Sequence, residues 1–171
     1  FGDGIEQDAA AVRLFADSGL NFLVSSSFSK SFSLYGERVG ALSIVTNSKE
    51  EAGRVLSQAK RVIRTNYSNP PTHGATVVAS VLNSAELRAM WEQELAEMRE
   101  RIRDMRMAMV EQLAAQGAKR DFSFVARQRG MFSYSGLNAE QVERLKSEFA
   151  IYAVGTGRIC VAALNRNNLD A

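Results

Sequence analysis

The sequence predicts a mixed α/β fold, and three observations predict it. Short apolar runs of strand length, such as Asn21-Phe22-Leu23-Val24, alternate with longer stretches whose apolar residues recur every three or four positions. One of those stretches is unusually long: Leu87, Trp91, Leu95, Met98, Ile102, Met105, Met109 and Leu113 fall on one helical stripe. Helix-start and turn residues separate the segments, and no internal repeat or low-complexity tract interrupts them.

Taken in order, a helix is expected from about Glu6 to Asp17, with Val12 and Phe15 on one face and Gly19 as its stop. Asn21 to Val24 reads as a buried strand. A polar loop, Ser25 to Gly36, holds six serines and one lysine, and a second strand follows over Arg38 to Val45. Asn47-Ser48, with Glu50 and Glu51 behind them, marks a helix start, and that helix runs to about Asn66. Pro70 and Pro71 break it, since proline lacks an amide hydrogen and restricts its predecessor. Thr72 to Leu82 reads as a further buried helix. The long amphipathic helix starts at Ser84 and ends near Gly117, with a heptad coiled coil as its competing reading. Beyond it, Phe122 to Val125 and Met131 to Tyr134 are expected as strands around a turn at Gly130. Asn138 caps a helix over Glu140 to Phe149, and Ile151 to Val154 and Ile159 to Ala163 are expected as strands. Asn-Asn-Leu-Asp-Ala at the end reads as the first turn of another helix.

Composition narrows the function. With 171 residues the chain holds one ordinary domain or pieces of two. It is 46% apolar and 23% charged, the balance of a globular chain. A net charge of +2 with both signs interspersed predicts no nucleic-acid partner, and no apolar run approaches membrane-spanning length. One cysteine, Cys160, excludes an internal disulfide, and one histidine, His73, excludes a multi-histidine metal site. This usage suits a reducing cytoplasm. The start, Phe-Gly-Asp-Gly-Ile-Glu-Gln-Asp, does not read as a signal peptide and resembles the interior of a longer protein.

The most informative segment runs from Ser25 to Gly40. It places Lys30 in a serine-rich loop at the end of a buried strand, where ligands of α/β sheets usually sit. Partial desolvation and a second cation, Arg38, would lower the pKa of such a lysine, as imine formation with an aldehyde requires. Serine hydroxyls and an arginine suit a phosphate. An ordinary solvated lysine is the alternative that these features leave open.

The wording of the segment, Ser-x-Ser-Phe-Ser-Lys-x-Phe-x-Leu-Tyr-x-Glu-Arg-Val-Gly, resembles the cofactor-lysine motif of the class I aminotransferases of the aspartate and aromatic type. Three further segments are similar to that family in the same order. They are Arg64 to Ala75 (Arg-Thr-Asn-Tyr-Ser-Asn-Pro-Pro-Thr-His-Gly-Ala), Gln128 to Leu137 (with Gly-Met-Phe-Ser-Tyr), and Gly157 to Ala162 (Gly-Arg-Ile-Cys-Val-Ala).

The resemblance implies the C-terminal portion of a pyridoxal-phosphate (PLP) transferase of fold type I. Residues 1–96 would be the end of the large α/β domain and residues 97–171 most of the small α+β domain, linked by the long helix at about 84–116. It implies PLP as cofactor and a ping-pong transfer of an amino group from an aromatic or dicarboxylic L-amino acid to a 2-oxo acid. Lys30 matches the lysine that carries the cofactor covalently and then moves the substrate proton. Ser27 and Arg38 match the phosphate holders. Arg158 matches the arginine that grips the substrate α-carboxylate, and Phe132 an aromatic lining of the substrate site. Arg64 matches the arginine that reads a distal carboxylate across a homodimer interface, with Ser68 and Asn69 in the same segment. Tyr35, His73 and Cys160 match without an assigned chemistry.

The resemblance also implies what lies outside the chain. The aspartate facing the pyridine nitrogen and the tyrosine on the cofactor phenolate are expected before Phe1, so the isolated chain is expected to be inactive. Two other classes of function remain open: an inactive fragment that self-associates through uncovered apolar faces, and a non-enzymatic interaction protein built on the long helix. Within the family, a strict aspartate aminotransferase is the alternative to the aromatic type.

Overall fold

A computed structural model of the chain describes residues 1–169. It contains two compact units, Ile5–Glu94 and a second formed by Leu95–Ala171 with Phe1–Gly4.

In the first unit, α1 (Ile5–Asp8) and α2 (Ala10–Asp17) divide the single helix expected there. Gly19, at φ +70°, then turns the chain toward β1 (Phe22–Ser27). β1 pairs antiparallel with β2 (Gly40–Val45), with Phe22 opposite Val45 and Ser27 opposite Gly40. The first strand therefore runs three residues into the expected serine loop. Neither strand is buried: Leu23 is 68% and Leu42 59% exposed. The two strands hydrogen-bond to each other in a two-stranded ribbon, so apolar composition here marks strand without marking burial. α3 (Lys49–Asn66) starts where Ser48 accepts from the Glu51 amide at 3.1 Å. α4 (His73–Asn83) follows the two prolines and buries Gly74 and Val78.

α5 (Ala85–Ala115) is the long helix, and Gly117 at φ +74° ends it. In the second unit, Leu95 and Ile102 on α5 are buried, as are Val125, Val142 and Val161. Phe122 to Val125 is not a strand. Ser123–Ala126 forms one helical turn, α6, because the Asp121 carboxylate accepts from the Ser123 amide and hydroxyl, both at 2.8 Å. A side chain that ties down the first amide favours helix over strand.

β3 (Phe132–Tyr134) therefore pairs with β4 (Arg158–Cys160), antiparallel, rather than with the 122–125 segment. α7 (Ala139–Phe149) has a full capping box between Asn138 and Gln141 and ends on Ala150 in the left-handed region. Ile151 to Val154 is not a strand either; the Val154 amide donates to the Arg158 carbonyl at 3.2 Å, closing the turn before β4. β4 itself stops at Cys160, and Val161–Ala163 coils into a 3-10 turn. The helix start expected at the end of the chain falls partly on Asp170 and Ala171, outside the described residues.

Candidate active site

The segment between β1 and β2 is a series of tight turns. The Phe28 amide donates to Val39, Phe32 to Phe28, Ser33 to Lys30 and Glu37 to Leu34, each at 3.2 Å. Two of its residues, Ser33 and Arg38, have φ of 55° and 54°. Ser27 and Arg38 thereby come to the same cavity of about 250 Å³, lined also by Ser25, Ser26, Ser29 and Gly40. Ser27 Oγ accepts from the Ser29 amide at 3.2 Å, and Arg38 Nη1 donates to the Tyr35 carbonyl at 3.0 Å.

Hydroxyls and a permanent cation around an open cradle fit a phosphate ester. Gly40 lets the two strands approach closely at the cavity's edge, since a Cβ there would stand 2.5 Å from the Ser26 carbonyl oxygen. Lys30 adjoins this cavity in sequence without lining it. Its side chain is exposed rather than partly desolvated, with Nζ 5.4 Å from the centroid of the Tyr35 ring.

The loop is anchored by a residue that sequence reasoning assigned only to helix packing. Trp91 of α5 donates from Nε1 to the Ser31 carbonyl at 2.6 Å and stacks on Phe32 at 4.7 Å. Phe32 in turn meets Phe28 edge-on at 5.5 Å. Lys30 is thus flanked by an anchored backbone carbonyl and a three-ring cluster. Gly74 is the other unforeseen contributor: a Cβ there would lie 3.1 Å from Glu37 and Val39 side-chain carbons, so α4 packs closely behind the Arg38 turn. A tryptophan on a helical stripe looks like core, and nothing in its spacing shows that its ring nitrogen reaches a loop 60 residues away.

Arg64, in the last turn of α3, donates from Nη1 to Ser68 Oγ at 2.5 Å. Ser68 has φ +70° and its amide, like that of Tyr67, donates to the Ile63 carbonyl. Arg64 is exposed, and its contact with Ser68 couples two residues singled out in the sequence.

Phe132 and Arg158 meet in the second unit. Tyr134 stands opposite Arg158 and Phe132 opposite Cys160, so Phe132 and Arg158 are diagonal neighbours on one face of the ribbon. The Arg158 guanidinium lies 4.8 Å from the Phe132 ring centroid, both side chains are exposed, and the fork is available to a carboxylate. Gly157, at φ +82°, makes the turn into β4, where a Cβ would collide with the Leu137 carbonyl oxygen. Lys30, Ser27, Arg38 and Arg64 belong to one compact unit, and Phe132 and Arg158 to the other. Among the described residues no helix is long and apolar enough to cross a membrane.

Residues 1–171 match the family Aminotransferase class I and II. The chain belongs to this aminotransferase family. It is 84% identical to an aspartate aminotransferase of Pseudomonas aeruginosa over 170 residues, covering 99% of this chain and 43% of that protein. It is 54% identical to an aromatic-amino-acid aminotransferase of Escherichia coli, again over 99% of this chain and 43% of the relative. Among solved structures, an aromatic-amino-acid aminotransferase from Burkholderia pseudomallei, covalently bound to pyridoxal phosphate, superposes with a TM-score of 0.97 at 74% identity. That superposition covers 99% of this chain and 43% of the other. The fold is therefore the α/β fold of these aminotransferases, and the chain spans less than half the length of the relatives it matches.

Proposed function

We propose that this chain supplies the cofactor lysine and the carboxylate-binding arginine of a PLP-dependent transaminase. That enzyme transfers the amino group of an aromatic or dicarboxylic L-amino acid to a 2-oxo acid. The convergence of Ser27 and Arg38 on one cavity, lined also by Ser29, the residue before Lys30 in sequence, carries the reading. The 84% identity to an aspartate aminotransferase and the PLP-bound structural neighbour support it.

PLP, when bound, supplies an aldehyde for covalent attachment and a ring that takes up the electron pair left at the substrate Cα. Ser27 and Arg38 would hold its phosphate through a hydroxyl and a guanidinium. Lys30 would be its covalent anchor, and the free amine would serve as the acid/base for the Cα proton. Arg158 fixes the α-carboxylate with a two-bond fork, and Phe132 backs that fork. Arg64 reads a distal carboxylate from the neighbouring subunit of a homodimer. Cytoplasmic residence fits the single thiol, Cys160.

Incubation with PLP, borohydride reduction and peptide mass spectrometry test the reading on the full-length enzyme. A single reduced adduct on Lys30 is expected; its absence, or labelling spread over several lysines, would overturn the assignment. A substrate panel of aspartate, glutamate, phenylalanine and tyrosine then separates a broad enzyme from a strict aspartate aminotransferase.

A second reading concerns the chain by itself: catalytically inactive and self-associating. Leu14, Phe15, Leu20, Leu23 and Leu42 are each exposed in the Ile5–Glu94 unit, and uncovered apolar surface drives association. Sedimentation of the isolated chain, with a turnover assay beside it, checks both parts.

A further inference from the structure

Arg106, on α5, is 3% exposed, and the residues placed in the site so far do not account for it. Its Nε donates to Ser133 Oγ at 3.3 Å and its Nη2 to the Gly130 carbonyl at 2.5 Å. Gly130, at φ +87°, is the turn that leads into β3, and its amide donates to the Phe1 carbonyl at 3.2 Å. Ser133 is the middle residue of β3 and is 2% exposed. Residues alternate across a strand, so fixing Ser133 on the inward face fixes Phe132 and Tyr134 on the outward one. Phe132 is the residue whose ring lies against the Arg158 guanidinium.

Burying a guanidinium is costly, and here both its burial and the nearby Arg129 charge push the Arg106 pKa down. A residue serving only to fill space would be apolar. The rigid fork of arginine instead holds two points of the β3 approach, three residues apart, in one geometry. Gln128 completes the frame: its Nε2 donates to the Tyr134 carbonyl at 2.9 Å, and its Oε1 accepts from the Tyr134 amide at 2.7 Å.

We infer that Arg106 is a positioning residue for substrate binding: by clamping Gly130 and Ser133 it sets β3 so that Phe132 holds the Arg158 fork ready for a carboxylate. The inference rests on the assignment of Arg158 to the substrate α-carboxylate.

The test compares Arg106→Met, Arg106→Lys and Ser133→Ala with Arg158→Leu in the full-length enzyme. KM and kcat for the amino-acid substrate, PLP content by absorbance and melting temperature are the measurements. Arg106→Met and Ser133→Ala should each raise KM about tenfold, with PLP content unchanged and kcat altered less than KM. Arg106→Lys, which keeps a single donor for Gly130, should fall between wild type and Arg106→Met. An unchanged KM in Ser133→Ala overturns the inference, and that variant decides alone if Arg106→Met does not fold. Parallel losses of PLP content, kcat and melting temperature without a KM effect also overturn it, because they mark a purely structural arginine. If Arg158→Leu raises KM while the Arg106 and Ser133 variants do not, only this inference fails. If Arg158→Leu itself leaves KM unchanged, the carboxylate assignment falls and takes the inference with it.

Discussion

Replacing Trp91 with phenylalanine should loosen the Lys30 segment while leaving the helix that carries Trp91 intact. The ring remains able to stack on Phe32, so most of the 4.7 Å aromatic contact survives. What disappears is the 2.6 Å donation to the Ser31 carbonyl, in a partly buried setting. An acceptor left without its partner in such a place costs about 1 to 3 kcal/mol. If that energy opposes local opening, amides of the segment should exchange about 5- to 160-fold faster. The amides to follow are Phe32 and Ser33, which donate to Phe28 and Lys30. Hydrogen–deuterium exchange of the full-length enzyme, read by mass spectrometry on peptides spanning Phe28 to Gly36, measures this. Trp91→Ala should add about 0.5 to 1.5 kcal/mol of lost stacking and exchange faster still. Wild-type exchange in Trp91→Phe would refute the idea that the indole nitrogen anchors the loop.

Four other outcomes are expected. Gly40→Ala brings a Cβ to 2.5 Å from the Ser26 carbonyl oxygen and should weaken PLP binding about tenfold, read by absorbance titration. Asn138→Ala removes the side chain that accepts from the Gln141 amide at 2.8 Å and should destabilise by about 0.5 to 2 kcal/mol, seen as a lower denaturation midpoint. Arg64→Leu should cut kcat/KM for aspartate about a hundredfold and that for phenylalanine far less, in steady-state assays of the full-length enzyme. The Ser123 amide and then its hydroxyl hold the Asp121 carboxyl below its ordinary range. A depressed folded-state pKa lends stability above the unfolded value, near 4, which is lost as pH falls through the folded value. The α6 turn should therefore loosen below about pH 4, and Asp121→Asn should flatten that acid limb in an NMR titration of the Ser123 amide.

Local chemistry was legible where one residue type decides the outcome. Ser48 and Asn138 cap the helices they were expected to cap, because a short polar side chain before a helical stripe has few other uses. The periodic stripe from Leu87 to Leu113 lies within one helix for the same kind of reason. The failures came where a competing contact won. Phe122 to Val125 has strand composition, yet Asp121 captures the Ser123 amide and starts a helical turn. Phe22 to Val24 looks buried, yet the ribbon leaves Leu23 open. In the site, the resemblance paired Ser27 with Arg38, which was expected at the start of the second strand; the strand begins at Gly40 instead, and the turns before it bring both residues to one cavity. Trp91 and Arg106 stayed hidden because each reaches a distant backbone carbonyl, which every residue possesses and no motif records.

Arg38 occupies a backbone conformation, φ 54°, that costs an L-residue about 1 to 2 kcal/mol and a glycine almost nothing. Arg38→Gly would relieve that backbone cost, lose the 3.0 Å donation to the Tyr35 carbonyl and remove the charge that lines the cavity. On the anion-holding role proposed for Arg38, selection for heat tolerance alone would do nothing to preserve the guanidinium. Selection has to reward ligand retention at the same time if position 38 is to keep its guanidinium.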